Sequence, residues 1–302
     1  MTVREEERVA RRGVLANMNP NKNSKRKIKV ELSILQRRTI SLFLLTSLVL
    51  LITFFFPNWV FALLASSMIG VGLYEFFTMV ERKGIFVHKP FGIIIGMLVP
   101  IIIHFERGTQ GYVDLEPFYI VLACLFAFIL QFTRRDNTHA LAGIATTLMG
   151  LLYISWFFSF FVKLKFFPNG ERLVAYVILV TKSSDIGAYF IGKSFGRHSL
   201  IPRISPAKTI EGTVGGFLCS LASSLASKIF LPKFSLGHLF ALGILLGILS
   251  QVGDLAESLL KRDCGVKDSG KNLSGVGGVL DAIDSLIFTA PIFYFYVLML
   301  VK

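Results

Sequence analysis

Nine stretches of mostly apolar residues, each close to the length of a membrane-spanning helix, dominate this sequence. A helix crosses the hydrocarbon core of a bilayer with about 20 predominantly apolar residues. Only 17% of the residues are charged, whereas a soluble domain carries about 25%. One soluble core cannot bury this much apolar surface, so we predict an all-α, polytopic integral membrane protein with about nine spans. The predicted spans are 39–56, 59–80, 91–105, 117–133, 139–162, 173–192, 213–231, 236–259 and 281–301.

The distribution of charge predicts the orientation of the chain. The net charge is +13, and 11 of the 32 Lys and Arg residues lie in residues 1–38, ahead of the first apolar run. With this tail inside, the loops on its side carry more Lys and Arg than the loops on the other side, as the positive-inside rule requires. We therefore predict that the N-terminus faces the cytoplasm. No nucleic-acid-binding motif accompanies the charge, so no nucleic acid is expected as a partner.

Polar residues divide the chain into three parts. Residues 1–38 are predicted to form a basic flexible cytoplasmic tail, because they contain little apolar sequence to bury. Residues 39–162 are apolar and aromatic and are predicted to form transmembrane scaffold helices. Residues 163–302 hold nearly all the unusual polar residues and are predicted to form the catalytic helices and cytoplasmic loops. The three cysteines and five histidines show no metal-ligand spacing.

The sixth predicted span contains ionisable residues at helical spacing. Lys182, Asp185 and Tyr189 are three and four residues apart, so they can share one face of a helix. A charge at the centre of a membrane helix costs about 2.5–3.5 kcal/mol on insertion scales, and such residues usually face a polar cavity. This pattern indicates a functional site, and the alternative is a Lys–Asp pair that only neutralises itself.

The loop 192–212 is basic and rich in Gly and Pro. Ser205, Lys208, Thr209 and Glu211 lie just before a helix start that is rich in glycine. A lysine and hydroxyls at a helix N-terminus suit phosphate oxygens. The pattern alone is weak, because a positive-inside connector has the same composition, and no Walker A loop is present.

Carboxylates and cations converge around the last two predicted spans. Asp254, Glu257, Ser258 and Lys261 form one polar stripe near the end of the eighth span. Asp281 and Asp284 then open the ninth span. Such hard oxygen ligands suit Mg²⁺, which is usually bound by one or two carboxylates together with substrate phosphates. The alternative is helix capping by Asp281 with surface ion pairs, which does not account for Asp254. The cations and polar residues between the two spans are Arg262, Lys267, Asp268 and Lys271.

These residues follow a known signature. The family pattern runs Ser-x-apolar-Lys-Arg, four residues, Lys-Asp-x-small, and closes on Pro/Gly-x-His-Gly-Gly-apolar-x-Asp-Arg-apolar-Asp. The matching residues are Ser258, Leu260, Lys261, Arg262, Lys267, Asp268, Gly270, Leu273, Gly277, Gly278, Val279, Asp281, Ile283 and Asp284. Upstream the match extends to Asp185, Ala188, Tyr189, Phe190, Gly192, Ser205, Pro206, Lys208, Thr209, Glu211, Gly212, Gly253 and Asp254. By these motifs, residues 170–290 resemble the phosphatidate cytidylyltransferase (CDP-diacylglycerol synthase) family.

Three positions depart from the family pattern. Ser274 stands where the family has Pro or Gly, Val276 where it has His, and Ala282 where it has Arg. The carboxylates and the loop cations are retained, so the resemblance still implies the family reaction. Other residues of this chain must therefore take over any role that the His and the Arg have in other members.

The resemblance implies transfer of CMP from CTP to phosphatidic acid, which gives CDP-diacylglycerol and pyrophosphate. It implies Mg²⁺ as cofactor, with a second cation left open, and a site that faces the cytoplasm. The lipid bilayer is a further partner, and a homodimer is left open. The expected metal ligands are Asp254 and Asp281. The expected catalytic residues are Asp254, Asp281, Asp284, Asp185 and Lys261, and the expected substrate-binding residues are Ser205, Lys208, Thr209, Glu211, Ser258, Arg262, Lys267, Asp268 and Lys271.

Two other functions are compatible with parts of the pattern. A CTP-dependent lipid-alcohol kinase would use similar phosphate contacts but would release CDP instead of pyrophosphate. An ion-coupled transporter would use Lys182, Asp185 and Asp254 as an ion path. It would leave without a role the glycine-rich cationic loop, which we define as residues 265–278.

Overall fold

A computed structural model of the protein describes residues 40–109, 115–135, 137–270 and 277–301. These residues form nine α-helices and one two-stranded antiparallel sheet, so the predicted helical class is confirmed. In chain order the elements are α1 (Ile40–Phe55), α2 (Asn58–Arg82), α3 (Lys89–Gly108), α4 (Glu116–Phe132), α5 (Ala140–Lys165), α6 (Gly170–Phe195), β1 (Ser199–Ile201), β2 (Ser205–Thr209), α7 (Ile210–Ala226), α8 (Leu236–Asp263) and α9 (Leu280–Val301).

Six of these helices are long and apolar enough to cross a membrane: α2, α3, α5, α6, α8 and α9. Among the described residues, α1 and α4 are apolar but shorter, and α7 has 17 residues. Many large apolar side chains on the helices are exposed, such as Phe43 and Leu141 at 70% and 81%. Lipid would cover such side chains, so the fold is that of an α-helical membrane protein. The count of nine spans and the direction of insertion stay predictions.

Two helices differ in detail from their predicted spans. Pro100 does not break α3, which continues to Gly108, as membrane helices often tolerate proline because neighbouring groups satisfy the freed carbonyl. Helix α5 is one 26-residue element whose middle, Leu151–Trp156, is π-helical. The predicted boundary between residues 162 and 163 therefore falls inside a continuous helix.

The most enclosed of the six long helices are α2 and α9. Ile69, Leu73 and Phe77 of α2 and Phe293 of α9 are fully buried. Helix α2 of the predicted scaffold and helix α9, which carries Asp281 and Asp284, therefore share one hydrophobic core.

Helices α6 and α7 pack closely because glycine lines their contact. A Cβ atom on Gly212 would lie 2.8 Å from the carbonyl oxygen of Ala188. Between these helices, β1 and β2 form a hairpin in which Ser199 is opposite Thr209 and Ile201 is opposite Ser205. The basic loop of the sequence is therefore a short hairpin that ends at the start of α7.

Two lysines that the charge pattern assigns to an outer loop lie within α5 and are buried. Lys163 pairs with Glu116 at 2.5 Å, and the Lys165 ammonium donates to the carbonyl oxygens of Thr53 and Phe56 at 2.7 and 3.1 Å. Both ammonium groups make contacts within the protein. Lys163 and Lys165 therefore say little about which side of the membrane this part of the chain faces.

Candidate active site

Three carboxylates from two helices meet in the half of the molecule that the sequence singles out. Asp254 and Glu257 lie three residues apart on α8, on one face of the helix, and Asp284 faces them from α9. Each offers an oxygen atom, and these atoms all lie within 4.8 Å of one another. Glu257 is completely buried and Asp284 is 6% exposed. This acidic cluster needs positive charge nearby, because buried carboxylates at such distances repel one another.

Two lysines supply part of that charge. Lys208, at the end of the β hairpin, pairs with Asp254 at 2.8 Å. Lys261, two turns further along α8, contacts Glu257 at 2.5 Å. The structure therefore brings Lys208 and Lys261 to the carboxylates, and their roles in binding phosphate stay predictions.

Asp281 lies beside the acidic cluster but outside it. One of its oxygens accepts from Lys261 at 2.7 Å. The other accepts from the Ser269 hydroxyl at 2.8 Å and from the Gly278 backbone N–H at 2.6 Å. Asp281 therefore connects α8, the glycine-rich loop and the first turn of α9, where an acidic residue also favours the helix dipole.

Asp185 of α6 is the centre of a second group of polar side chains. It accepts from Lys182 at 2.9 Å, as the sequence spacing indicates, and also from Ser250 and Ser285, each at 2.9 Å. The Lys182 ammonium also donates to the carbonyl oxygen of Ala282 at 3.0 Å. Tyr189 does not join this group, since its side chain is half exposed and its ring lies next to Lys193.

The hairpin residues have mainly structural contacts in the free protein. The Thr209 hydroxyl caps α7 by accepting from the Gly212 N–H at 3.1 Å. The Glu211 carboxylate contacts the His198 ring at 2.6 Å and accepts from the N–H groups of Arg197 and His198. Its own backbone N–H first, and then the His198 ring and the neighbouring backbone, lower the pKa of Glu211 from 4.5 to about 2. Ser205 lies at the start of β2.

Two of the predicted loop cations, Arg262 and Lys267, lie in the described residues. Arg262 donates to the carbonyl oxygens of Ile204 and Val266 and so connects α8 with the hairpin. Lys267 and Asp268 are exposed, whereas Ser258 is buried. Lys271, predicted to bind substrate, lies outside the described residues, as do Ser274 and Val276. The third departure, Ala282, is buried on α9.

Glu75, from the predicted scaffold, holds the start of α9 and the glycine-rich loop. Its buried carboxylate accepts from the backbone N–H groups of Val279 and Leu280 at 3.1 and 2.9 Å, and from the Ser269 hydroxyl at 3.2 Å. A Cβ on Gly270 would lie 2.6 Å from a Glu75 oxygen. A side chain at position 270 would therefore push the Glu75 carboxylate away from its present hydrogen bonds.

The sequence carried signals for the residues that we did not predict. Glu75 is a lone carboxylate in an otherwise apolar span, which is by itself a reason to expect a polar partner. Glu257 was recognised in the polar stripe but was not assigned as a ligand. No local pattern marks Ser250, Ser269 and Ser285, because serine is common inside membrane helices and only the packing of α6, α8 and α9 brings these hydroxyls to the carboxylates.

Comparison with known proteins identifies the family of the chain. The model of the cytidylyltransferase family matches residues 36–300. A phosphatidate cytidylyltransferase of Synechocystis is 32% identical over 272 residues, which are 80% of this chain and 90% of the relative. One of Staphylococcus aureus is 37% identical over 194 residues, 64% of this chain and 74% of the relative. The uncharacterized protein YnbB of Escherichia coli is 36% identical over 214 residues, 65% and 72% of the two chains. The chain belongs to the cytidylyltransferase family.

Proposed function

We propose that this protein is a phosphatidate cytidylyltransferase, which transfers CMP from CTP to phosphatidic acid and releases pyrophosphate. The observation that carries the proposal is the acidic cluster flanked by Lys208 and Lys261, in a chain of this family. Carboxylates for a divalent cation next to lysines for phosphate are what a reaction between two polyanions requires.

The donor set fits a divalent cation. One oxygen of the buried Glu257 has no hydrogen-bond partner among the described residues, and such an atom indicates a ligand that the protein chain does not supply. We assign Asp254, Glu257 and Asp284 to hold Mg²⁺. When bound, Mg²⁺ neutralises charge on the phosphate oxygens and orients them. Asp281, predicted as a ligand, has both oxygens engaged by Lys261, Ser269 and Gly278, so we assign it to positioning Lys261 and the loop.

The chain need not supply a strong base. The second pKa of a phosphate monoester is about 6, so the phosphate of phosphatidic acid is largely a dianion at neutral pH and can itself attack the α-phosphorus of CTP. The task of the protein is to hold both anions in line and to keep water out. Cations on the hairpin and the loop bind the phosphates in this assignment, and hydroxyls orient them: Lys208, Lys261, Arg262, Lys267, Lys271, Ser205 and Ser258.

The location of the reaction follows from its substrates. CTP is cytosolic, and with a cytoplasmic N-terminus the hairpin and the ends of α8 and α9 near the cluster face the cytoplasm. We therefore place the protein in the cytoplasmic membrane of a bacterium with its site toward the cytoplasm. The lipid then reaches the site from the adjacent leaflet while its acyl chains stay in the bilayer.

The position of the isotope label in CTP distinguishes the proposed reaction from that of a CTP-dependent lipid-alcohol kinase. Purified protein in mixed micelles with phosphatidate and Mg²⁺ should move an α-³²P label, but not a γ-³²P label, from CTP into lipid and release pyrophosphate. A lipid-alcohol kinase would instead move the γ-label to a lipid alcohol and release CDP. Asp284→Asn should remove the α-label transfer, and wild-type protein that transfers neither label would contradict both enzyme functions.

A further inference from the structure

Tyr153 has a buried hydroxyl that the proposed reaction does not yet use. The residue lies in the π-helical segment Leu151–Trp156 of α5 and is 7% exposed. Its hydroxyl is buried and has no hydrogen-bond partner among the described residues. Buried tyrosine hydroxyls usually have a partner, because leaving one unpaired costs free energy. We therefore expect the hydroxyl to bind a water molecule or a ligand.

The surroundings of Tyr153 show which partner is suitable. Its ring packs against Phe288 of α9, with ring centroids 5.6 Å apart, one helical turn beyond Asp284. This contact brings Tyr153 to α9 one turn from a carboxylate of the acidic cluster, from a helix that contributes none of the three carboxylates.

Two buried polar atoms in this part of the protein have no partner among the described residues. The Glu257 oxygen is an acceptor, and the Tyr153 hydroxyl is a donor. The structure does not pair them with each other. Single π turns inside α-helices occur frequently at functional sites, and Tyr153 lies in the π segment of α5.

We propose that Tyr153 is a positioning residue of the metal site, whose hydroxyl donates a hydrogen bond to an oxygen that the bound cation coordinates. That oxygen belongs to a water in the free protein and to a phosphate when substrate is bound. The inference rests on the proposed function, because it requires the cation assigned to Asp254, Glu257 and Asp284. It extends the site to α5, within the part of the chain predicted to be scaffold.

Binding of Mn²⁺ without substrates tests the inference directly. Loss of a partner that orients metal ligands typically weakens metal affinity by about 10–100-fold, so Tyr153→Phe should weaken Mn²⁺ binding by that factor in calorimetric titration of the purified protein. The matched control is Tyr176→Phe, because Tyr176 is equally buried but its hydroxyl is paired with Ser224 at 2.6 Å. This control should bind Mn²⁺ as the wild type does.

Thermal unfolding separates this role from a structural one. Without metal, Tyr153→Phe removes only an unpaired hydroxyl, so its Tm should equal or exceed that of the wild type. Saturating Mn²⁺ should then raise the Tm of the wild type more than that of the variant at the same concentration. A variant with a lower metal-free Tm and unchanged Mn²⁺ affinity would show that the hydroxyl is structural, and the inference would be wrong.

The same experiments distinguish failure of the inference from failure of the proposed function. Wild-type protein that does not bind Mn²⁺ overturns the metal site and the role of Tyr153 together. Wild-type protein that binds Mn²⁺, with weaker binding in Tyr153→Phe but no transfer of CMP, supports the inference and overturns the proposed reaction instead.

Discussion

Asp254 is the carboxylate of the acidic cluster that is most open to solvent, since 39% of its side chain is exposed. Asp254→Asn should lower kcat/KM about 10²–10³-fold, the range found when one preorganised electrostatic group is removed from an active site. The matched control is Asp263→Asn on the same helix, whose carboxylate pairs with Lys83 at the surface. Initial rates of CMP transfer measure the effect, and equal rates for the two variants would contradict the assignment of Asp254.

The pKa of Glu211 predicts how pH affects the hairpin. Because its pKa falls from 4.5 to about 2 on folding, its contribution to stability is fully present above pH 4.5 and is lost as the pH falls toward 2. The difference in Tm between wild type and Glu211→Gln should therefore be constant from pH 8 to pH 5 and should shrink below pH 4.5. A difference that changes between pH 8 and pH 5 would contradict the assignment of the effect to the Glu211 carboxyl group.

At the scale of elements, the start of α9 depends on Glu75 of α2. Glu75→Gln places an amide against backbone N–H donors and leaves at least one of them unpaired, which costs about 1–3 kcal/mol in a buried site. The free energy of unfolding should fall by that amount, and CMP transfer should fall with it because Asp281 and Lys261 lose their alignment. Chemical denaturation and initial rates measure the two effects.

A residue on the same helix supplies the control for Glu75. Glu81 is partly exposed and pairs with Lys89 at 3.3 Å, so Glu81→Gln should change stability by less than about 1 kcal/mol and leave the rate unchanged. If Glu75→Gln behaves like this control, the backbone of the loop does not depend on the carboxylate.

The sequence predicted the positions of the helices better than it predicted the contacts between them. Hydropathy located all nine helices of the described residues, because each must be apolar over most of its length. It could not distinguish a span from a shorter helix such as α7, and it gave no sign of the π segment in α5. The spacing of Lys182 and Asp185 predicted their ion pair, since both lie on one helix. The separation of Asp281 from the acidic cluster depends on how α8 and α9 pack, which no spacing within one helix reveals.

For the whole molecule, the predicted orientation can be tested from the two ends of its helices. The test uses a variant in which the three cysteines are replaced by serine. In this background, Lys233→Cys should react with a membrane-impermeant maleimide in intact cells. Arg197→Cys should react only after the membrane is permeabilised. Both positions are exposed, so the difference reports the side of the membrane. The reverse pattern would place the hairpin outside and contradict a site that faces the cytoplasm.

The two predicted halves of the chain are joined at the site itself. Glu75 of α2 contacts Ser269 of the glycine-rich loop and the start of α9, and Tyr153 of α5 packs against Phe288 of α9. A division into scaffold and catalytic parts therefore describes where the charged residues lie along the sequence. In the folded protein both parts contribute to the arrangement around the acidic cluster.

The ion pair between Lys208 and Asp254 has a consequence for the order of binding. In the chain without ligands, the lysine serves as the counter-ion of a carboxylate that we assign to the cation. A cation held by Asp254 would replace the ammonium group of Lys208 and leave it available for a phosphate. The two ligands should therefore bind with positive cooperativity, and by thermodynamic reciprocity CTP should raise the affinity for Mg²⁺ by the same factor by which Mg²⁺ raises the affinity for CTP.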